Sequence, residues 1–234
     1  NVNNYPIEYD LYEAISDYYN IPIPNLTLGH GSTDVLDRIV RSMDHDVWYI
    51  VKPAFEMVEV YCKIYKKNYH IISYEDACAM EYIPNSIIYI ASPNGNDGNA
   101  YDVMPLLNRF DLCVIDEVYG DFYDRYSLLG NTPENVIVLK SISKSLGLAG
   151  LRVGFSKASL DLTMKIQQCR MNYITNSLAV YLIPRLLMYT SEVISRMNRT
   201  KAYLESRYDC STSKANYVLF REPNIYTDKF GYKL

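Results

Sequence analysis

A lysine among small residues follows an apolar run and has the setting of a nucleophile. Lys144 occurs in SISKSLGLAGLRVGF, directly after the run at 135–140. Partial burial among small residues lowers the pKa of an amine and makes it nucleophilic. Ser141, Ser143 and Arg152 add two hydroxyls and a guanidinium, a donor set suited to a phosphate. Taken alone, the segment is better interpreted as a loop with a solvated lysine and a structural arginine.

A carboxylate and a phenol follow a second apolar run. Asp116 closes LCVID at 112–116, and Tyr119 comes three residues later in DEVYG. An unpaired carboxylate at the end of a buried strand is costly, so we expect a cationic partner for Asp116. Tyr119 can donate its hydroxyl nearby. The alternative is an aspartate that only caps the following turn.

A third candidate is the glycine-bearing segment GHGSTD at 29–34. Glycines beside a helix start expose backbone N–H groups, and the helix dipole adds positive potential that favours a phosphate. Ser32 is predicted to cap this helix. By itself the segment is typical of an ordinary helix cap, since it lacks the glycine patterns of nucleotide and dinucleotide sites.

Short apolar runs predict the elements that position these groups. The runs are VWYIV (47–51), SIIYIA (86–91), LCVID (112–116), NVIVLK (135–140) and RVGFS (152–156). Continuous apolar runs indicate strands buried on both faces, and the segments between them are long enough for crossover helices. Helical spacing of apolar residues predicts further helices over 10–19 and from about 183 to 207. The expected fold class is α/β, with a doubly wound sheet.

The polar ends of these strands are expected to form one site. Ligands in an open parallel sheet gather beyond the carboxyl ends of its strands. The candidate ends are GHGSTD, KPAF (52–55), SPNGNDG (92–98), DEVYG and the segment around Lys144. Their coincidence is stronger evidence for a site than any one of the motifs.

The composition excludes several classes of protein. The chain has 234 residues, 49% hydrophobic and 21% charged, with a net charge of −4. These values indicate a globular protein, and the slight acidity argues against a nucleic-acid binder. Five scattered cysteines and three histidines show no metal-ligand spacing, so no metal is expected. No apolar run approaches the roughly 18–20 residues of a membrane span, so a cytoplasmic protein without a membrane partner is expected.

The motifs around Lys144 and Asp116 together carry a family resemblance. SxSKxxGLAGLRVG and VIDEVY make the chain similar to the pyridoxal-phosphate-dependent aminotransferases of fold type I, class I/II. Within them it most resembles the histidinol-phosphate aminotransferases, from NNYP at Tyr5 to ANYVLFR near residue 221. The resemblance implies an aspartate-aminotransferase-like, three-layer α/β/α fold with a mostly parallel central sheet. The expected domains are an arm at 1–9, a large cofactor-binding domain at 10–190, and a connecting helix with the start of a small domain at 191–234.

The resemblance also implies a role for each site residue. Lys144 matches the Schiff-base lysine, Asp116 the carboxylate that pairs with the pyridine nitrogen, and Tyr119 the tyrosine that hydrogen-bonds the phenolic oxygen. Phe55 falls where the family stacks an aromatic ring on the cofactor. Tyr5 matches a tyrosine that reaches the phosphate of the neighbouring subunit, so a homodimer is implied. The positions matching the family's phosphate site are Ser32, Thr33, Ser141, Ser143 and Arg152.

The implied reaction is transamination with pyridoxal 5′-phosphate as cofactor. The amino donor would be an amino acid or a histidinol-phosphate-like amino-phosphate, and the acceptor a 2-oxo acid, as in histidine biosynthesis. Two alternatives remain open: a decarboxylase of the threonine-phosphate type, and a truncated homologue that binds without turnover. A dinucleotide-dependent oxidoreductase is disfavoured because G-x-G-x-x-G does not occur.

Two departures from the family pattern stand out. The family's S-P-N-N-P-T-G is SPNGNDG here, with Gly95 at the second Asn position, and Asn94 is predicted to make the cofactor contact instead. Family members are also longer, with a small C-terminal domain whose arginine binds the substrate carboxylate. Arg221 lies at the first strand of that domain, so the domain is expected to be truncated and the carboxylate clamp missing.

Overall fold

The core of the molecule is a seven-stranded sheet, seen in a computed structural model that describes residues 4–220. Its order is β1-β7-β6-β5-β4-β2-β3, and all strands run in one direction except β7, which is antiparallel to both of its neighbours. The predicted α/β class with a mostly parallel central sheet is confirmed. In chain order the strands are β1 (Leu26–His30), β2 (Val47–Val51), β3 (Asn68–Ile72), β4 (Ile83–Ala91), β5 (Phe110–Asp116), β6 (Val136–Ser141) and β7 (Val153–Lys157).

Helices cover both faces of this sheet, which gives the three layers. Two apolar clusters form, one beneath α1 and α7 and the other beneath α2, α3 and α6. A separate two-stranded ribbon, β8 (Cys210–Ser211) with β9 (Leu219–Phe220), follows the last helix. The helices are α1 (Tyr9–Tyr19), α2 (Gly31–Ser42), α3 (Met57–Ile64), α4 (Tyr74–Ala79), α5 (Ile142–Ser145), α6 (Leu160–Gln168), α7 (Ser177–Leu186) and α8 (Thr190–Arg207).

The central strands bury side chains on both faces. In β5, Cys113 and Ile115 belong to one apolar cluster, whereas Leu112 and Val114 belong to the other. This follows from the alternation of side chains along a strand. Continuous apolar runs are therefore strands between two helix layers, as the sequence predicted.

The structure corrects some predicted boundaries. Ser32 is not a helix cap: α2 begins at Gly31, and Asp34 accepts the hydrogen bond from the His30 amide at 2.9 Å. The helix predicted from about 183 starts at Ser177 and breaks between α7 and α8. Of the strand predicted around Arg221, the described part contains β9 (Leu219–Phe220), and Arg221 itself lies outside the described residues.

One helical stretch is long and apolar enough to cross a membrane. Ser177–Arg207 spans 31 residues and includes both α7 and α8. Within it, α7 buries Ala179 and Ile183 in the same apolar cluster as Leu11 and Ile15 of α1. This packing covers only part of the stretch, because Leu178, Tyr181 and Met188 are exposed.

Candidate active site

The predicted strand ends meet around one cavity of about 230 Å³. The cavity lies at the edge of the sheet where β4, β5 and β6 end. Phe55 stands at its mouth, 41% exposed, and Gly95 and Asn96 line it as well. The predicted site residues that line the cavity are Ser32, Thr33, Phe55, Asp116, Tyr119, Ser141, Ser143, Lys144 and Arg152.

The direction of β7 explains how Arg152 reaches this edge. Because β7 runs antiparallel to its neighbours, its start lies beside their ends: Val153 pairs with His30 of β1, and Gly154 with Ser141 of β6. Arg152, one residue before β7, therefore reaches the same edge as the carboxyl ends of parallel strands. Its backbone carbonyl also accepts the Gly31 amide at 3.0 Å, which ties β7 to the start of α2.

Lys144 lies in α5, the single helical turn that follows β6. Its amine forms no hydrogen bond or ion pair with the residues from 4 to 220, and it lies 5.4 Å from the centroid of the Tyr119 ring. The Ser141 hydroxyl accepts the Ser143 amide at 3.2 Å and so caps this turn. The short helix thus presents an uncommitted amine to the cavity.

Asp116 is a buried carboxylate held by neutral donors. Its side chain accepts the Tyr89 hydroxyl at 2.6 Å and the Val118 amide at 3.1 Å. Burial raises the pKa of Asp116, whereas these two hydrogen bonds and the positive charges of Lys140 and Lys144 lower it. The expected cationic partner is not found, since no ion pair in the described part of the chain includes Asp116. A cationic ligand group in the cavity would supply it.

One end of the cavity, beside the start of α2 and of β7, suits an anion. The Ser143 hydroxyl is buried and has no hydrogen-bond partner among residues 4–220, an arrangement that costs free energy unless a ligand accepts from it. Within the described chain, the one hydrogen bond of the Arg152 guanidinium is a 3.5 Å contact with the Ala149 carbonyl. First-turn amides of α2, at Ser32 and Thr33, lack intrahelical acceptors. This donor set fits a phosphate.

Close packing between α2 and β7 shapes that end. A Cβ atom added to Gly154 would lie 2.0 Å from the Ser32 nitrogen, far inside van der Waals contact. Only glycine allows the first turn of α2 to rest directly on β7. The Ser32 amide and the Arg152 side chain reach one cavity as a result.

A second close approach positions Tyr119. A Cβ atom at Gly95 would lie 2.7 Å from Cε2 of the Tyr119 ring. The ring therefore rests on the Gly95 backbone, and Tyr217 contacts it edge-on with ring centroids 6.4 Å apart. The departure at Gly95 from the family pattern leaves the space that this ring occupies.

Two predicted site residues lie elsewhere in this chain. Asn94, predicted to contact the cofactor, does not line the cavity, because its amide donates to the Pro53 carbonyl at 2.6 Å and accepts from the Asn96 amide at 2.8 Å. It joins the KPAF and SPNGNDG loops instead. Tyr5 is 74% exposed and stacks on Tyr173 with centroids 4.2 Å apart.

Tyr89, which sequence reasoning missed, contacts the candidate site through its hydrogen bond to Asp116. It lies in the run SIIYIA, where it was indistinguishable from core residues such as Ile87. The available signal was its position two residues before Ala91, where a strand side chain points to the same face as the strand end. A hydroxyl on that face reaches the site.

Comparison with known proteins gives consistent results. The family model described as "Aminotransferase class I and II" matches residues 1–216. The chain is 26% identical to the histidinol-phosphate aminotransferase of Pyrococcus furiosus, over 94% of this chain and 70% of that protein.

Two solved structures share the fold. Histidinol-phosphate aminotransferase from Sinorhizobium meliloti, in complex with pyridoxal-5′-phosphate, matches with a TM-score of 0.78 and 19% identity, over 93% of this chain and 67% of that one. L-threonine-O-3-phosphate decarboxylase from Porphyromonas gingivalis matches with a TM-score of 0.75 and 18% identity, over 92% of this chain and 72% of that one. At these identities the likeness concerns the fold alone.

Proposed function

Because the chain belongs to the class I and II aminotransferases, a family that depends on pyridoxal 5′-phosphate, we propose that it transfers an amino group to a 2-oxo acid. The amino donor would be an amino acid or a histidinol-phosphate-like amino-phosphate. The observation that supports the proposal is one cavity in which the described residues leave a lysine amine without a bond and a buried carboxylate without a cation, beside a set of phosphate donors. The lysine would anchor the cofactor, the carboxylate would face its ring nitrogen, and the donor set would hold its phosphate.

The cavity residues divide the binding of the cofactor among them. Asp116 would hold the proton of the ring nitrogen, Phe55 would pack on the ring, and Tyr119 would donate to the phenolic oxygen. The phosphate would be held by Ser32, Thr33, Ser141, Ser143 and Arg152. When bound, the cofactor supplies an electron-withdrawing ring that stabilises negative charge at the α-carbon of the substrate.

Lys144 has two tasks in this proposal. Its amine first anchors the cofactor, which its lack of other partners permits. In its second task the Lys144 amine would take the proton from the substrate α-carbon as a general base. Tyr119, whose ring lies beside the amine, restricts where the amine can move.

A labelling experiment tests the role of Lys144. The purified chain is mixed with pyridoxal 5′-phosphate, reduced with borohydride, digested and mapped by mass spectrometry. We expect the pyridoxyl group on Lys144, its loss in Lys144→Ala, and its retention in Lys165→Ala, which removes an exposed lysine of α6. An unlabelled Lys144 in the parent chain refutes the proposal.

A decarboxylase is the second candidate. The fold matches the threonine-phosphate decarboxylase nearly as well as the aminotransferase, with TM-scores of 0.75 and 0.78. Which bond at the α-carbon breaks depends on which of them stands perpendicular to the cofactor ring. Assays of 2-oxo acid formation and of carbon dioxide release, with amino acids and amino-phosphates, separate the two reactions. If neither product forms, the chain binds without turnover.

We also propose a cytoplasmic homodimer. The arm segment docks on the chain through Glu8, which accepts from the amide and the hydroxyl of Thr175 and pairs with Arg170. Beside this contact lies a group of exposed apolar side chains, here called the arm patch. Exposed apolar groups of this kind mark surfaces that another protein covers. The arm patch consists of Tyr5, Ile7, Tyr9, Met171 and Tyr173.

A further inference from the structure

We propose that Tyr89 is a positioning residue for Asp116: its hydroxyl fixes the orientation of that carboxylate and keeps it ionised. The inference rests on the proposed function in one respect, namely that Asp116 faces the ring nitrogen of the cofactor. Tyr89 lies in the middle of an apolar strand, outside every motif that pointed to the site.

Strand register brings the two residues together. In the parallel pair β4–β5, Tyr89 lies opposite Val114 and Ala91 opposite Asp116. Tyr89 and Asp116 are therefore diagonal neighbours on one face, a distance that an aromatic side chain spans. The small Ala91 side chain leaves room for the phenol beneath the cavity floor.

Two donors hold the carboxylate, one at each oxygen. The Tyr89 hydroxyl donates to Oδ2 at 2.6 Å, and the Val118 amide donates to Oδ1 at 3.1 Å. Two fixed donors at two oxygens set both the tilt and the rotation of the group. Tyr89 is fully buried, so no water replaces its hydroxyl when that is removed. Burial and the neighbouring Asp116 raise the pKa of Tyr89 well above its ordinary value, so the phenol stays the donor.

The remaining charges around Asp116 do not substitute for Tyr89. Lys140 of β6 and Lys144 of α5 act on it only at a distance, and the Lys140 amine pairs with Asp121 at 2.6 Å. Glu117 accepts from Ser127 and from the Leu128 amide. Loss of the Tyr89 hydroxyl would thus leave Asp116 with one donor and the same desolvation, which favours its protonated form.

The variant Tyr89→Phe tests this coupling without the cofactor. The side-chain carboxyl of Asp116 is titrated by ¹³C NMR in the cofactor-free protein, with Asp116→Asn used to assign its signal. We expect the Asp116 midpoint to move to higher pH in Tyr89→Phe. The control is Tyr65→Phe, which removes a 2.7 Å phenol–carboxylate hydrogen bond to Asp37 outside the cavity and should leave the Asp116 midpoint in place.

A second measurement uses the cofactor itself. Affinity for pyridoxal 5′-phosphate should fall about tenfold in Tyr89→Phe, the scale expected when a charged group loses a hydrogen bond. With ¹⁵N-labelled cofactor, the ring-nitrogen signal should move towards the unprotonated position. A merely structural role for Tyr89 would lower thermal stability and move neither signal.

The outcomes separate the two proposals. An unchanged Asp116 midpoint in a folded Tyr89→Phe protein overturns the inference about Tyr89. Failure of the parent chain to bind the cofactor overturns the proposed function. In that case the titration still decides whether Tyr89 is coupled to Asp116. If Tyr89→Phe does not fold, 3-fluorotyrosine at residue 89 provides a more acidic donor of nearly the same shape. The Asp116 midpoint must then move to lower pH, and an unmoved midpoint again refutes the inference.

Discussion

The electrostatics of the site depend most on Asp116. Its pKa is raised by burial at the end of β5, with only partial compensation from its hydrogen bonds. A carboxyl whose pKa is higher in the folded than in the unfolded state contributes stability below its unfolded pKa. That contribution is lost as the pH rises through the folded pKa. At neutral pH the ionised Asp116 therefore lowers the free energy of unfolding of the cofactor-free protein.

The variant Asp116→Asn should separate stability from binding. In cofactor-free protein at pH 8 we expect a higher melting temperature, by roughly 2–4 °C for a gain of about 1 kcal/mol. The gain should shrink as the pH falls below the ordinary carboxyl range, while affinity for the cofactor is reduced at pH 8. Scanning calorimetry against pH measures the first effect, and the exposed Asp161→Asn serves as control. A lower melting temperature for Asp116→Asn at pH 8 would contradict this view of the site.

A substitution at Gly95 tests why the family's asparagine is replaced here. Because a Cβ atom at residue 95 would lie 2.7 Å from the Tyr119 ring, Gly95→Asn must displace that ring. Displacing a packed side chain costs about 1–3 kcal/mol. If that cost falls on cofactor binding, the affinity drops roughly tenfold or more. Gly130→Asn is the matched control, since nothing lies within 4 Å of its added Cβ atom. Tighter binding by Gly95→Asn would show that the asparagine contact outweighs the packing of Tyr119.

Among the elements, the contact of α2 with β7 determines the anion end of the cavity. Gly154→Ala would place a methyl group 2.0 Å from the Ser32 nitrogen, so the helix start must move away from the strand. We expect a loss of about 1–3 kcal/mol or more in the free energy of unfolding and weaker binding of inorganic phosphate. Gly150→Ala, in the same segment but with open space around it, should change stability by less than about 0.5 kcal/mol. Urea unfolding and phosphate titration of both variants measure these effects, and equal stabilities would disprove the packing constraint.

Sequence patterns predicted the central strands well because both faces of those strands are buried. The run at 47–51 coincides with β2, and the run at 112–116 lies within Phe110–Asp116. The edge strand Asn68–Ile72 was missed, since all of its side chains are exposed or half-buried and carry no apolar pattern. The antiparallel direction of β7 was not predictable either, because it depends on which strands become neighbours.

The site was predictable to the extent that its residues follow strand ends. Lys144, Asp116 and Tyr119 satisfy that rule and line the cavity together. Asn94 satisfies it too, but the bonds of its amide to neighbouring loops turn it away. Tyr89 lies inside a strand and not after its end, and its contact with Asp116 depends on the register of β4 and β5. Local patterns place side chains on a face, whereas pairing between distant segments decides what each touches.

For the whole molecule, the arm patch carries the proposal of a homodimer. Light scattering should then give twice the chain mass of 27.1 kDa. If Tyr5 of one subunit completes the site of its partner, Tyr5→Ala and Lys144→Ala chains should complement each other when co-expressed. The hybrid contains one site with both residues, so that site should bind the cofactor with parent affinity and become labelled on Lys144. A hybrid that keeps the weaker affinity of the Tyr5→Ala homodimer would refute a shared site.

The pairing of β1 with β7 also determines when, during synthesis, the phosphate end of the cavity can form. β1 is translated before β2 to β6, and its sheet partner β7 (Val153–Lys157) appears only after all of them. At usual elongation rates the wait is on the order of 10 s. Throughout that interval β1 is an unpaired strand, a species open to chaperones and to aggregation. The phosphate end of the cavity needs Ser32 and Gly154 together, so a nascent chain cannot acquire it before β7 emerges.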